Sequence, residues 1–310
     1  SQMFSGYLSY SPNKYFNAQI GNDKQFWGEG YRSLFLSDNS SNNPYLKLTT
    51  NFWRIKYVYL LNVMRYGQVN GFNIDNNPSH FKTKYGSYHL VSVDVTKWMQ
   101  FNFFEGVTWF HNDSNRVRGM EVSYLIPVAF IRPVEFALGS PDNVVLGIGM
   151  KFKASPKQIF YTQIMLDDMD VAAARKGKGF YRTKVAAQFG YKGYDLFKVK
   201  HLDFQTELNL VRPFVYAHKA PEQSYTNYNQ SLAHPLGANF LESVTFINYW
   251  YKHWTASAKL QFAVQGRDAN FEHNGSNIFL SDYLIAPNLG TAYNNTFLQG
   301  VKTRLINVEA

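Results

Sequence analysis

The chain has no cysteine among its 310 residues. Disulfide bridges and thiolate metal sites are therefore excluded. The sequence also lacks any run of about 18 consecutive apolar residues, so no membrane-spanning helix is predicted. The first residues do not join a basic stretch to an apolar block, as a secretory signal peptide would. The last residues, Lys302–Ala310, resemble a strand cut short, and we expect one domain, residues 1–310, that is a trimmed part of a longer chain.

Motifs for catalysis and metal binding are also scarce. The eight histidines are dispersed without His-Glu-x-x-His spacing, and no Gly-x-Ser-x-Gly elbow occurs. Asp167, Asp168 and Asp170 offer oxygen ligands for Ca²⁺, but the glycine-spaced loop of a cation site is missing, which favours a solvated turn. We predict no cofactor, no metal and no enzymatic activity. A hydrolase stays the least favoured alternative, because the spacing of a carboxylate pair is spatial and cannot be read from sequence.

What the chain does have is aromatic residues and positive charge. Aromatic residues make up 17% of the chain, with 22 Tyr and 26 Phe, which suits sheets that meet lipid headgroups. The net charge of +9 would attract acidic polymers such as anionic polysaccharide or lipopolysaccharide. Because the basic residues are spread rather than clustered, nucleic-acid binding is not predicted.

Alternation of polar and apolar residues recurs along the chain. In Trp53–Val63 the odd positions are apolar or aromatic, over a length that suits a tilted membrane strand. The same pattern recurs in 98–109, 144–153, 201–210 and 254–265, and more weakly in 2–10, 85–96, 158–166, 182–191, 241–251 and 300–308. The sequence thus predicts many short antiparallel strands.

Two folds accommodate this pattern. A soluble β sandwich or propeller would bury the apolar face in protein, whereas a membrane barrel would turn it to lipid. Charges run the full length of the polar faces, no repeat of propeller length is visible, and aromatic residues recur near strand ends. The girdle candidates are Tyr66, Trp98, Trp109, Tyr191, Trp250, Tyr251 and Trp254. These features favour an all-β antiparallel transmembrane barrel, or a large fragment of one, with short inserted helical or loop segments.

Three stretches interrupt the alternation. The first, Gln25–Leu48, carries Gly28 and Gly30 at a predicted turn and a polar tract from Asp38 to Pro44. The second, Ile126–Asn143, is bounded by prolines that would open and end a short helix. The third is Arg212–Asn239. Each interruption either enters the barrel interior or lies outside it, and if all lie outside, a passive pore is favoured.

The first interruption also resembles a known family. Trp27-Gly28-Glu29-Gly30, followed by Ser33-Leu34-Phe35-Leu36-Ser37-Asp38-Asn39 and Pro44, is similar to the signature of Wzi-like capsule-assembly outer-membrane proteins. Segments 132–135, 139–143, 210–213 and 230–237 resemble relatives linked to gliding motility. The resemblance implies a bacterial outer-membrane barrel that is not an enzyme and acts in surface polysaccharide attachment or cell-surface adhesion. The chain departs from the family pattern at Glu29 and Asp38. A carboxylate at these positions can accept hydrogen bonds from sugar hydroxyls, but it would repel an acidic polymer.

These observations define the predicted sites. The predicted glycan contacts are Trp27, Glu29, Tyr31, Arg32, Asp38 and Asn39. The predicted interior or plug residues are Arg132, Glu135, Arg212 and His234. The expected partners are surface polysaccharide, the lipid bilayer with lipopolysaccharide, and other outer-membrane or secretion-system proteins, with no nucleic acid.

Overall fold

The structure is a computed structural model. It describes residues 4–67, 69–70, 73–74, 80–113, 116–117, 119–125, 142–167, 175–268, 272–283 and 292–310. Arg132 and Glu135, with their predicted contacts to the barrel, lie outside the described residues, as do Asp168 and Asp170.

Thirteen strands form one large antiparallel sheet. They are β1 (Gly6–Asn13), β2 (Phe16–Asp23), β3 (Asn43–Phe52), β4 (Ile55–Tyr66), β7 (Lys82–Asp94), β8 (Met99–Phe110), β11 (Asn143–Ser155), β12 (Gln158–Asp167), β13 (Val185–Gly193), β14 (Leu202–Val211), β17 (Phe240–Tyr251), β18 (Trp254–Arg267) and β19 (Val301–Glu309). The remaining strands form three two-stranded ladders: β5 (Val69–Asn70) with β6 (Asn73–Ile74), β9 (Asn112–Asp113) with β10 (Arg116–Val117), and β15 (Thr226–Asn227) with β16 (Gln230–Ser231). The predicted all-β antiparallel fold is confirmed.

Each strand of the large sheet pairs with the next strand of that same sheet along the chain. The first and last strands, β1 and β19, do not pair with each other, so they are the edges of the sheet. Connections alternate in length. Tight turns join β3 to β4 and β11 to β12 at one end of the sheet. Long segments lie at the opposite end, where 24–42 joins β2 to β3 and 212–239 lies between β14 and β17. We name these the short-turn end and the long-loop end.

The sheet has an apolar outer face and a polar inner face. In the β11–β12 pair, Ile148 and Ile164 lie opposite each other on the outer face and are 52% and 43% exposed. Gln163, from the inner face, is buried. This is the division that the alternation predicts for a sheet with lipid on one side.

The sheet curves around the segment 24–42, which we name the opening segment. Phe35 stacks on Phe104 of β8, and Arg32 reaches Glu242 of β17. Strands in a sheet are about 4.8 Å apart, so a few neighbouring residues can touch β8 and β17 together only if the intervening strands bend around them. The opening segment therefore lies inside the curved sheet.

The predicted strand at Trp53–Val63 is wrong at its start. Trp53 lies in the β3–β4 turn with φ of 53° and is 81% exposed, and the strand begins at Ile55. The last part of Gln25–Leu48, predicted to be loop, is the beginning of β3. Near the opening segment, both faces of the β3–β4 pair carry apolar residues. The alternation of polar and apolar residues is therefore weak there.

The expectation that the odd positions of β4 meet lipid needs a correction as well. Tyr59 and Leu61 do lie on the outer face, but they are only 2% and 8% exposed. Tyr124, from the short 3₁₀ helix Val122–Tyr124, covers this patch, and its carbonyl accepts the Tyr59 hydroxyl at 3.1 Å. Part of the outer face is therefore buried against the chain itself.

Of the predicted girdle residues, Trp98, Tyr251 and Trp254 are well exposed near the short turns. Trp250 is exposed as well, but it shares the inner face of β17 with Glu242 and Phe246 and therefore does not belong to an outward-facing belt. Trp109 is fully buried, packs on Tyr124 at 5.0 Å and donates its Nε1–H to the Gly119 carbonyl. Tyr66 is 7% exposed, so neither residue lies in an interfacial belt.

Helices are short in the part of the chain that the structure describes. Besides Val122–Tyr124, these are the 3₁₀ turns Leu196–Lys198 and Pro221–Gln223. None of the helices among these residues has the length and apolar character to cross a membrane.

Gly147 is required by close packing rather than by backbone conformation. Its φ is ordinary for any residue, but a Cβ here would collide with the buried ring of Phe35. At Gly149, two residues along the same strand face, a Cβ would sit in ordinary contact 3.4 Å from its neighbours. The two glycines thus form a matched pair.

We predict that Gly147→Ala destabilises the protein by about 1–3 kcal/mol, the usual cost of overpacking a core. Gly149→Ala, the control, should change stability by less than about 0.5 kcal/mol. The stability of each variant is measured as the urea concentration at which half of the protein loses its heat-modifiable mobility on a gel. Equal midpoints for the two variants would show that Phe35 is not fixed against β11.

Candidate functional site

The opening segment folds back on itself inside the sheet. Trp27 and Leu36 form an antiparallel bridge, with the Trp27 N–H donating to the Leu36 carbonyl at 2.8 Å. The Ser33 hydroxyl donates to the Trp27 carbonyl at 2.6 Å. These bonds close a turn whose remaining backbone groups need partners from elsewhere, because buried N–H and C=O groups are costly without them.

Glu207 of β14 supplies the partners at the tip of this turn. Its carboxylate accepts the backbone N–H groups of Tyr31 and Arg32. It also accepts the Tyr161 hydroxyl at 2.6 Å and the Gln205 side-chain amide at 2.9 Å. One inward-facing carboxylate thus holds the tip of the turn to the wall.

Two glutamines bind the backbone on either side of the tip. Gln163 of β12 accepts the Leu34 N–H at 2.7 Å and donates to the Trp27 carbonyl at 3.1 Å. Gln188 of β13 donates to the Arg32 carbonyl at 3.0 Å. An amide side chain suits this position because it can donate and accept at once.

A charged cluster lies next to Gln188. Glu242 of β17 accepts the His234 Nε2–H at 2.6 Å, the Gln261 amide at 2.8 Å and the Asn209 amide at 3.2 Å. Arg32 Nη2 lies 3.5 Å from the same carboxylate. The cluster joins the opening segment to the third interruption through one buried acid.

His234 is neutral in this cluster. Its Nδ1 accepts the Leu236 N–H at 3.2 Å, so Nε2 carries the proton that Glu242 accepts. Burial lowers the pKa of His234, and the favourable charge of Glu242 offsets this only in part.

The third interruption covers the opening segment from the long-loop end. The hydroxyls of Tyr216 and Tyr225 donate to the carbonyls of Leu34 and Phe35 at 2.9 and 2.7 Å. Burial, together with the charge of Asp167, raises the pKa of both tyrosines well above its usual value, so they remain donors. The Ser37 N–H donates to the Leu232 carbonyl at 2.7 Å. This end of the interior is filled by the two segments together.

Buried lysines fix the third interruption to the wall. Lys84 Nζ donates to the Ser224 carbonyl at 2.5 Å. Lys184 Nζ donates to the Ala217 carbonyl at 2.6 Å and pairs with Asp282 at 2.7 Å. The segment is thus held by hydrogen bonds from two lysines, one of them ion-paired, as well as by apolar packing.

Gly30 is needed for room, not for a turn of unusual backbone conformation. A Cβ at Gly30 would collide with the Glu207 carboxylate. Neither Gly28 nor Gly30 has a positive φ, so the prediction that they permit a special turn is wrong.

The structure divides the predicted glycan contacts into buried and accessible residues. Trp27 is 8% exposed and packs edge-on against Phe104 at 6.0 Å. Asn39 is half-buried, and its side chain donates to the Ser231 carbonyl at 3.0 Å. Asp38 is exposed and lies between Ser37 and Asn39, which bond to the third interruption at the long-loop end. Trp27 and Asn39 therefore contribute to packing, and Asp38 is free to meet solvent.

Tyr31 and Glu29 face the opposite way, towards the short-turn end, while the Arg32 guanidinium lies between the Tyr31 ring and Glu242. The Tyr31 ring is 39% exposed, lies 4.8 Å from the Phe246 ring and has the Arg32 guanidinium 4.6 Å from its centroid. Lys259 Nζ lies 5.4 Å from the same ring. Glu29 pairs with Lys151 at 2.8 Å. An exposed ring framed by cations and amides can stack on a sugar and bind its hydroxyls.

The two remaining predicted plug residues differ in position. His234 is fully buried against Glu242. Arg212 is half-buried at the long-loop end of β14, where its Nε–H donates to the Thr183 carbonyl at 3.1 Å. Arg212 therefore supports a loop there, and the structure brings only His234 next to the opening segment.

Three important residues were missed by sequence reasoning: Gln163, Glu207 and Glu242. Each occupies a polar position in the alternation, which marks it as facing inward but does not single it out. In the part of the chain that the structure describes, three or more His, Asp or Glu side chains nowhere converge to hold a metal ion.

The 13-stranded antiparallel sheet, with its apolar outer face and partly filled interior, is a large part of a transmembrane β barrel. One solved structure supports this fold. Wzi of Escherichia coli, described as an outer-membrane protein involved in group 1 capsule assembly and a carbohydrate-binding β barrel, is similar with a TM-score of 0.58 and 16% identity. The similarity covers 84% of this chain and 56% of Wzi, so the chain spans a little over half of that protein's length.

Two Pseudomonas aeruginosa proteins are more distant. OccK7 has a TM-score of 0.41 at 10% identity, covering 84% of this chain and 62% of its own. OccK1 has a TM-score of 0.42 at 10% identity, covering 86% and 64%. Scores this low establish no shared fold. No family model matches the chain, and no curated protein matches it.

We predict that Glu207→Ala releases the tip of the opening segment. The backbone N–H groups of Tyr31 and Arg32 lose their acceptor, and each buried group left unpaired costs about 1–3 kcal/mol. Tryptic cleavage after Arg32 should then accelerate about tenfold or more. Glu309→Ala, which removes an exposed inner-face carboxylate of β19, is the control and should leave cleavage unchanged. Equal cleavage in both variants would contradict the role given to Glu207.

The neutral state of His234 predicts a pH effect of defined sign. Below the usual histidine pKa of about 6.5, the unfolded chain binds a proton that the folded chain resists, so stability falls as the pH falls through this window. The urea midpoint should decrease from pH 7 to pH 5. His234→Gln should reduce this dependence, whereas His253→Gln, at an exposed turn, should preserve it. A pH dependence unchanged in His234→Gln would assign the effect to another group.

Proposed function

We propose that this protein is a non-enzymatic protein of the bacterial outer membrane that binds surface polysaccharide and helps to attach or assemble it. The observation that carries the proposal is the opening segment, which is held rigidly inside the sheet and presents the Tyr31 ring among charged and amide groups. A rigid support lowers the entropic cost of binding. The fold similarity to Wzi, itself a carbohydrate-binding barrel, supports the same assignment.

The buried contacts of the segment explain why it would be suited to this role. Glu207 and Gln163 form hydrogen bonds with the backbone of the segment, so its exposed side chains are available to contact a ligand. Tyr31 faces the short-turn end and Asp38 the long-loop end. Of the predicted contacts, we retain Tyr31, Arg32, Glu29 and Asp38 and assign Trp27 and Asn39 to support.

A passive pore is the competing function. The opening segment and the third interruption fill the long-loop half of the described interior, which disfavours free diffusion through it. Adhesion linked to gliding motility and contacts with secretion-system proteins stay predictions from the sequence resemblance.

The test compares Tyr31→Ala with Trp27→Ala in cells that display surface polysaccharide. Because Glu207 binds the backbone of Tyr31 rather than its ring, Tyr31→Ala should fold normally and reduce polysaccharide retention about fivefold or more, as loss of a stacking ring does. Trp27→Ala should lower the urea midpoint because it empties a buried site. Normal retention in a folded Tyr31→Ala protein would overturn the proposal.

A further inference from the structure

We propose that the short-turn half of the inner face is a binding site for an acidic saccharide, one that carries carboxylate groups. This inference rests on the proposed function and adds to it both the charge of the ligand and the end from which it enters. The observations are a cleft lined by Lys56 and Lys151, two further inward-facing lysines beside it, and an interior filled at the opposite end.

The cleft has a volume of about 320 Å³ and lies between the opening segment and the wall formed by β4, β7, β8, β11 and β12. Phe26, Trp27 and Glu29 line it on one side. Lys56, Asn102 and Lys151 line it on the other. Its size falls in the range of small-ligand sites.

Cations outnumber acids around this cleft. Three lysines point inward in the short-turn half of β4 and β11, namely Lys56, Lys151 and Lys153, and Lys47 points inward near the middle of β3. Among the described residues of these strands and of β2, β7, β8 and the opening segment, the carboxylates near them are Asp23, which attracts Lys47, and Glu29 and Asp94. The cleft is therefore an electropositive concavity that would concentrate anions.

The carboxylates near the cleft do not neutralise all of its lysines, so some lysines can bind an anion. Glu29 is engaged by Lys151 at 2.8 Å, and Asp94 accepts the Gln100 side-chain amide at 2.8 Å. Lys47 Nζ lies 3.2 Å from the neutral amide oxygen of Gln25 and 5.7 Å from the centroid of the Tyr45 ring, and it is repelled by Lys56 and attracted by Asp23 without forming an ion pair. In the described part of the chain, no carboxylate lies within ion-pair distance of Lys47, Lys56 or Lys153.

The groups between the lysines favour a sugar over a simple anion. Ser92, Gln100 and Asn102 point inward beside Lys56 and Lys151, and offer the donors and acceptors that hydroxyls need. The ring of Phe26 borders the same space. Ammonium groups for carboxylates, amides for hydroxyls and a ring for the sugar face thus occur within one cleft.

The direction of entry follows from what fills the interior. Tyr216 and Tyr225 seal the opening segment from the long-loop end through their bonds to Leu34 and Phe35. Lys56 and Lys153 are exposed towards the short turns. The acidic saccharide therefore enters from the short-turn end, opposite to the side where Asp38 is exposed.

The absence of cysteine allows a direct test. A single cysteine at Ser92→Cys places a maleimide target in the cleft, and Lys252→Cys places the control in an exposed turn at the same end. The labelling rate of each detergent-purified protein is measured with trigalacturonate as the acidic probe and maltotriose as the neutral one. We expect trigalacturonate alone to slow labelling at position 92, and neither sugar to slow it at position 252.

Lysine variants test the charge. Lys56→Gln and Lys153→Gln, each in the Ser92→Cys background, should weaken trigalacturonate protection about fivefold, as the loss of one ion pair does, whereas Lys252→Gln should not. Added salt should weaken protection as well. Heat-modifiable mobility confirms that each variant is folded.

The outcomes separate this site from the proposed function. Equal protection by maltotriose, or no protection at position 92, would overturn the acidic site, while retention that still depends on Tyr31 would leave the proposed function standing. Protection by trigalacturonate that responds to Lys56 and Lys153, with retention independent of Tyr31, would support the site and overturn the proposed function.

Discussion

The rest of this structure depends on one constraint: the backbone N–H and C=O groups of the opening segment must find hydrogen-bond partners. A stretch of chain placed inside a curved sheet loses its contact with water, and every buried N–H and C=O must find another partner. Glu207 and Gln163 on the wall meet this need from one side. Tyr216 and Tyr225 meet it from the other. Many polar groups of the inner face are therefore matched to particular backbone atoms rather than left to water.

The strand pattern was largely predictable from sequence, and its failures have a physical cause. In β11, β14 and β18, one face meets the outside and the other is polar, so a period of two identifies strand and face together. In β4, Val58 and Leu60 face the core made by the opening segment, while Tyr59 lies on the outer face under Tyr124. With apolar residues on both faces, the period disappears and the strand start is misplaced.

The candidate site was only partly predictable. Composition and family resemblance pointed to the opening segment, but they could not show that Trp27 is buried while Tyr31 is exposed. That difference is set by Phe104, Glu207 and Phe246, which are distant in sequence. The lysines around the cleft are dispersed along the chain as well, and only the pairing of β3, β4 and β11 with their neighbours shows that they share one concave surface.

The distances along the chain between these partners have a consequence for assembly. Leu34 is separated from Gln163 by 129 residues, Arg32 from Glu207 by 175 and Arg32 from Glu242 by 210. Closing loops of this size delays contact formation, so the opening segment, although near the beginning of the chain, can dock only after β12, β14 and β17 are in place. Its docking is a late step of folding, and an incompletely assembled sheet would leave Arg32 open to proteolysis.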